Sequence, residues 1–186
     1  MIQGMWPIAY LVLLCGTAVW FTPFVIAHRG VNAANAVDRR SRWGVLLQFI
    51  AYTLLWQGHF WNRQLTLWRL LTCLLLFAIA ILLAWTSSSA LGKHLRVDAA
   101  LGAEHELVRS GPYGIVRNPI YTSMLCVVCA TAVIVAPWQL FAASIVLFMI
   151  GTEIRVRTEE KLLAQRFGDQ FQQYKKDVSA YIPFLL

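Results

Sequence analysis

Five apolar segments, at residues 5–27, 43–60, 67–85, 120–135 and 138–150, dominate the chain and confine most of its charges to the connections. A helix rises about 1.5 Å per residue, so the first three segments reach about 27–35 Å, enough to cross a hydrocarbon core of about 30 Å. The last two are shorter, about 20–24 Å, and Pro137 lies between them. A single helix through both would be about 46 Å long, more than ordinary tilt accommodates, and Pro137 would break its hydrogen-bond ladder. A tight helical hairpin is the better expectation, whether it crosses the bilayer or only dips into it. The 186 residues are 59% hydrophobic and 13% charged, against about 25% charged for a soluble domain. The expected fold class is therefore an all-α integral membrane protein of about five transmembrane helices, in a single domain spanning 1–186. Residues 1–85 would supply three scaffold spans. Residues 86–186 would supply a polar loop, the hairpin and a C-terminal helical segment.

Charge placement sets the expected orientation. The connections on one side, with the C-terminal segment, hold fourteen Lys and Arg residues, while the other side holds only Arg63 and Arg69. The positive-inside rule then puts the N-terminus outside and the long loops and C-terminus in the cytosol. This asymmetry accounts for the net charge of +7 without nucleic acid as a partner. Six of the eight tryptophans, Trp6, Trp20, Trp43, Trp61, Trp85 and Trp138, fall near predicted span ends, where indole favours the membrane–water interface. No Lys or Arg precedes Arg29, so the first segment reads as a retained span rather than a signal peptide. The four cysteines, Cys15, Cys73, Cys126 and Cys129, lie inside predicted spans. Cys126 and Cys129 have redox-like spacing but no second ligand pair, so they read as small buried residues, with no metal expected.

Chemistry-bearing side chains concentrate at both ends of the hairpin. Before it runs His105-Glu106-Leu107-Val108-Arg109-Ser110-Gly111-Pro112-Tyr113, continuing to Arg117-Asn118-Pro119-Ile120-Tyr121; after it comes Arg155-Val156-Arg157-Thr158-Glu159-Glu160. Gly111-Pro112-Tyr113 reads as a turn, and Pro119 suits the first position of a helix. A loop and helix cap explain the glycine and prolines but not Arg117 and Tyr121, so cap and ligand site both stay open. Arg155 and Glu159 stand four apart on one helix face, the spacing of a surface ion pair. Their place near the bilayer boundary, where ionisable groups are costly unless paired or lining a cavity, gives the functional alternative weight. Residues 153–167 have helix-forming composition, with Gly168 as a C-cap. Residues 170–177 are expected to resume a short amphipathic helix lying on the membrane, Phe171 and Tyr174 facing it.

Together these residues resemble the isoprenylcysteine carboxyl methyltransferase family, which shares motifs with membrane phospholipid methyltransferases. The matching positions are His105, Leu107, Val108, Gly111, Tyr113, Arg117, Pro119, Tyr121, Arg155, Glu159, Glu160, Leu163, Phe167, Gly168, Tyr174 and Pro183. The resemblance covers about residues 85–186, and the short N-terminal half suits a minimal prokaryotic-type member. Asn118 stands where the family often has histidine, and Phe171 where it has tyrosine. The resemblance implies S-adenosylmethionine as methyl donor, although the Gly-rich turn of soluble α/β methyltransferases is absent. It places His105, Leu107, Val108, Gly111, Tyr113, Arg117, Asn118, Pro119 and Tyr121 around the cofactor, with Glu159 and Glu160 on its ribose or ammonium.

On this reading the protein is an S-adenosylmethionine-dependent methyltransferase of the bacterial inner membrane or endoplasmic reticulum, with its site on the cytosolic side. The implied acceptor is a lipidic carboxylate such as a C-terminal isoprenylcysteine, its tail remaining in the lipid. Arg155 is the candidate catalytic residue, because a guanidinium grips a carboxylate in bidentate fashion and stays charged. A phospholipid amine or another lipophilic small molecule is the alternative acceptor, with Glu159 or His105 as base. An alternative of another class is a non-catalytic membrane subunit whose polar block is only a cap.

Overall fold

The computed structural model describes residues 5–28, 40–58, 65–92 and 107–182. Among them are six α-helices: α1 (Met5–His28), α2 (Arg40–Leu54), α3 (Leu67–Leu91), α4 (Pro119–Val135), α5 (Trp138–Phe167) and α6 (Asp169–Asp177). Short 3₁₀ turns occupy Leu55–Gln57 and Gly111–Gly114. There is no strand among the described residues, and the one extended pairing is an isolated parallel bridge between Val116 and Ser179. His105 lies outside the described residues.

Among the described residues, three helices are long and apolar enough to cross a membrane: α1 over Pro7–Ile26, α3, and α5 with its 30 residues. The five expected segments thus become three of spanning length and two shorter ones. α4 is apolar but has 17 residues. α2 has 15 and carries Arg40, Arg42 and Gln48; it gives way at Leu55 to a 3₁₀ turn. Gly58 beyond that turn presses on the hairpin corner, where a Cβ would fall 2.7 Å from Pro137 Cδ. Large apolar side chains cover the outer faces, including Val45, Leu46, Phe49 and Ile50 on α2 and Leu71, Leu74, Leu75 and Leu82 on α3. A helix apolar on every side needs an apolar surround, which lipid supplies.

The hairpin α4–α5 turns at Pro137, as its sequence requires, but its arms are not tightly paired. α4 packs chiefly on α3, and α5 chiefly on α2. Small side chains explain the exchange. Ser41, Gly44, Gln48 and Ala51 form the buried face of α2, opposite Ser144, Phe148, Gly151, Thr152 and Arg155 of α5. Small residues let helix backbones approach closely, and Ser144 Oγ donates to the Ala51 carbonyl at 2.6 Å. Leu70, Cys73, Phe77, Ala80 and Ala84, recurring every three or four residues, are the buried stripe of α3.

α5 carries the apolar arm straight into the polar 153–167 segment, delivering Arg155, Glu159 and Glu160 from one rigid rod. Gly168 ends it with φ 49°, the left-handed conformation that glycine adopts without a Cβ clash. The amphipathic helix α6 follows, but Phe171 and Tyr174 face protein rather than membrane, at 2% and 5% exposure. The Tyr174 hydroxyl donates to the Tyr113 carbonyl at 2.6 Å, and the Arg109 guanidinium lies 5.4 Å from the Tyr174 ring. A buried phenol needs such a partner, and the loop before α4 provides it where lipid would not.

Candidate active site

Folding joins the two halves of the polar block. Pro119 occupies the first turn of α4 and directs the next residues toward α5. The Tyr121 hydroxyl donates to Glu159 Oε1, and Arg117 Nη1 donates to Glu160 Oε1 in a mostly buried ion pair. Lys175 of α6 reaches Glu160 Oε2 at 2.5 Å, so Glu160 ties the segment before α4 to α5 and α6. Arg155 is 8% exposed. Its guanidinium lies 3.9 Å from Glu159 and 5.2 Å from the Tyr121 ring centroid, and donates to Gln48 Oε1 at 3.4 Å. The Glu159 side chain keeps 32% of its surface exposed above this buried layer.

The chain after α6 straps the start of α4. Arg117 N donates to the Ser179 carbonyl at 2.8 Å, and Asn118 N to the Ala180 carbonyl at 3.1 Å. Arg117 Nε reaches the Val178 carbonyl at 2.9 Å, and Thr122 Oγ1 the Tyr181 carbonyl at 3.1 Å. Asn118 Nδ2 adds a second bond to the Ala180 carbonyl, also at 3.1 Å. The amide at this position is thus engaged in holding the tail. Asn118→Ala should lower stability by about 1 kcal/mol, the worth of one such bond, read as a fall in Tm of about 2–4 °C. An unchanged Tm would mean that the strap does not need the side chain.

Of the predicted site residues, Arg155, Tyr121 and Glu159 form one group, and Arg117 and Glu160 a second beside it. Tyr113 is buried in the 3₁₀ turn beginning at Gly111, and Leu107 and Val108 are half-buried in the segment leading to it. Burial pushes the Tyr113 hydroxyl upward and Tyr174 up to about 12, so both stay protonated at neutral pH. Sequence reasoning passed over Lys175, Thr152 and Gln48. A signal for Gln48 existed: it is a long amide set in a stripe of small residues, Ser41, Gly44 and Ala51, at helical spacing.

Carboxylates, guanidiniums and phenols alternate within this small volume. The partly open carboxylate of Glu159 suits a ligand ammonium or ribose hydroxyl, and the guanidiniums suit a carboxylate. That donor set fits an amino-acid-bearing sulfonium nucleoside.

Residues 67–170, more than half of the chain, match the model of the phospholipid methyltransferase family. Protein-S-isoprenylcysteine O-methyltransferase B of Arabidopsis thaliana is 30% identical over 144 residues, covering 75% of this chain and 70% of that protein. The protein-S-isoprenylcysteine O-methyltransferase of Schizosaccharomyces pombe is 30% identical over 110 residues, 51% of this chain and 46% of that protein. Methanethiol S-methyltransferase 1 of Bradyrhizobium diazoefficiens is 36% identical over 72 residues, 39% of this chain and 24% of that protein. The matched family segment runs from α3 to the first residues of α6 and so contains the whole Tyr121–Glu159–Arg155 group. The chain therefore belongs to the phospholipid methyltransferase family, and is a membrane methyltransferase related to the isoprenylcysteine O-methyltransferases.

Proposed function

We propose that this chain methylates the carboxylate of a lipidic acceptor, with a C-terminal isoprenylcysteine as the model substrate and S-adenosylmethionine as donor. The observation that carries the reading is the Tyr121–Glu159–Arg155 group, where α4 and α5 bring a phenol, a carboxylate and a buried guanidinium within reach of one another. When bound, S-adenosylmethionine would supply a methyl group from its sulfonium and leave as a neutral thioether. Glu159 holds the donor's ammonium or ribose. Leu107, Val108, Gly111 and Tyr113 wall its adenine. Arg117 and Glu160 fix the walls in place, with Asn118 and Pro119 setting the start of α4. Arg155 orients the acceptor carboxylate, which is ionised at neutral pH and needs no base. Alignment in a dry site then supplies most of the rate, because methyl transfer to an anion needs positioning and charge control above all. The excess of basic residues on this side supports a cytosolic site.

The test is transfer of labelled methyl from S-adenosylmethionine by the purified chain in detergent. An S-farnesylcysteine derivative should be labelled, and base should release the label as methanol, the mark of an ester. Base-stable labelling of phosphatidylethanolamine instead would assign an amine acceptor. The similarity to a methanethiol S-methyltransferase favours a thiol as the second reading, and base-stable labelling of a short thiol would select it.

A further inference from the structure

We infer that Gln48, in the second helix, is a positioning residue for Arg155, which makes α2 part of the acceptor side of the site rather than a passive scaffold. The inference rests on the proposed role of Arg155 toward an acceptor carboxylate. The residues around Gln48 on α2, Val45, Leu46, Phe49 and Ile50, expose large apolar side chains, whereas Gln48 is 6% exposed on the opposite face. An amide buried in an apolar segment is costly unless both of its ends are bonded. Gln48 Nε2 donates to Thr152 Oγ1 at 2.8 Å, and its Oε1 accepts from Arg155 Nη1 at 3.4 Å. Chemistry fixes this orientation: a guanidinium has donors and no acceptor, so the amide oxygen must face Arg155 and the NH₂ group must face the hydroxyl.

The stem of Arg155 is steered by the same helix. A Cβ on Gly44 would lie 2.5 Å from Arg155 Cγ, so the methylene chain crosses α2 where no side chain intervenes. Its head is then bounded by one group from each of three helices: Gln48 of α2, the Tyr121 ring of α4 and Glu159 of α5. A leucine has nearly the volume of glutamine and would fill the same space, so packing alone does not call for the amide. What the amide adds is a fixed direction for the guanidinium.

The experiment uses the full chain in detergent with an S-farnesylcysteine carboxylate as acceptor. Acceptor KM, kcat, Tm and the calorimetric Kd of S-adenosylhomocysteine are measured for Gln48→Leu, Gln48→Glu and Arg155→Lys. Gln48→Leu should raise acceptor KM about tenfold, the worth of a hydrogen bond to a charged group, and leave S-adenosylhomocysteine binding within about twofold. Gln48→Glu should raise acceptor KM further, since its carboxylate occupies the guanidinium that the acceptor needs. Added to Arg155→Lys, Gln48→Leu should cost less than about twofold more, because groups acting through one another are not additive. Should Gln48→Leu fold poorly, Gln48→Asn, which withdraws the carbonyl from Arg155 but keeps an amide, should show the same selective rise. A lowered Tm with unchanged acceptor KM beside an impaired Arg155→Lys overturns this inference alone. Unchanged acceptor KM in Arg155→Lys overturns the functional reading and this inference with it.

Discussion

Glu159→Gln should weaken S-adenosylhomocysteine binding by about 10- to 100-fold while the protein stays folded. The amide is isosteric with the carboxylate and keeps an oxygen to accept the Tyr121 hydroxyl, so the α4–α5 link survives. What disappears is the negative charge facing the ligand ammonium or ribose. A hydrogen bond to a charged group contributes about 1.5–3 kcal/mol, equivalent to about 10- to 150-fold in affinity. Glu159→Ala is a harsher change, because besides the Arg155 counter-charge that both variants lose it takes from the buried Tyr121 hydroxyl its acceptor. Removing one member of a buried ion pair costs about 3–5 kcal/mol, and the partial exposure of Glu159 puts the expected loss at the lower end. Calorimetry on the glutamine variant and thermal unfolding of both separate the two effects. Wild-type affinity in a folded Glu159→Gln protein would place the donor elsewhere and remove the central support for the site.

The residues that the fold gathers into this group stand out in the sequence as polar side chains at the hairpin ends; their partners were legible only in part. Hydropathy located the hairpin, and Pro137 located its corner, because both are local properties of the chain. Which helix each arm would lie against is not local. The sparse contact between α4 and α5 follows from small residues on α2 and α5 that let those two helices meet instead. Gln48 was averaged into an apolar window, although it is the one polar amide on the buried face of α2. Amphipathic spacing marked Phe171 and Tyr174 as an apolar face, but the same pattern serves a lipid surface and a protein surface alike; Tyr113 decided it by offering the Tyr174 hydroxyl a carbonyl. Asn118 stands where the family often has histidine, and in this fold its side chain meets the Ala180 carbonyl. That contact depends on a tail more than fifty residues away, beyond what any local spacing encodes.

The largest combined loss of stability and activity is expected at the crossing of α2 and α5. A Cβ on Gly151 would lie 2.7 Å from the Gly44 carbonyl oxygen, 3.0 Å from Leu47 Cβ and 3.2 Å from Gln48 Cγ. A Cβ on Gly44 would lie 2.6 Å from the Gly151 carbonyl oxygen as well as against the Arg155 stem. Backbone oxygens cannot rotate aside, so either alanine must push the helices apart. Overpacking of this kind costs about 1–3 kcal/mol, and the gain of about 1 kcal/mol from replacing glycine by alanine in a helix offsets only part of it. Gly151→Ala should therefore lower Tm by a few degrees. Its effect on turnover should be much larger, because moving α2 drags Gln48 and with it the direction of Arg155, and a misplacement of about 1 Å can cost about 100-fold in rate. Activity lost at temperatures where the variant is still folded is thus the expected signature, measured by acceptor kinetics beside a thermal melt. Wild-type Tm and turnover in both Gly44→Ala and Gly151→Ala would mean that the two helices do not approach this closely, and that Arg155 is set by α4 and α5 alone.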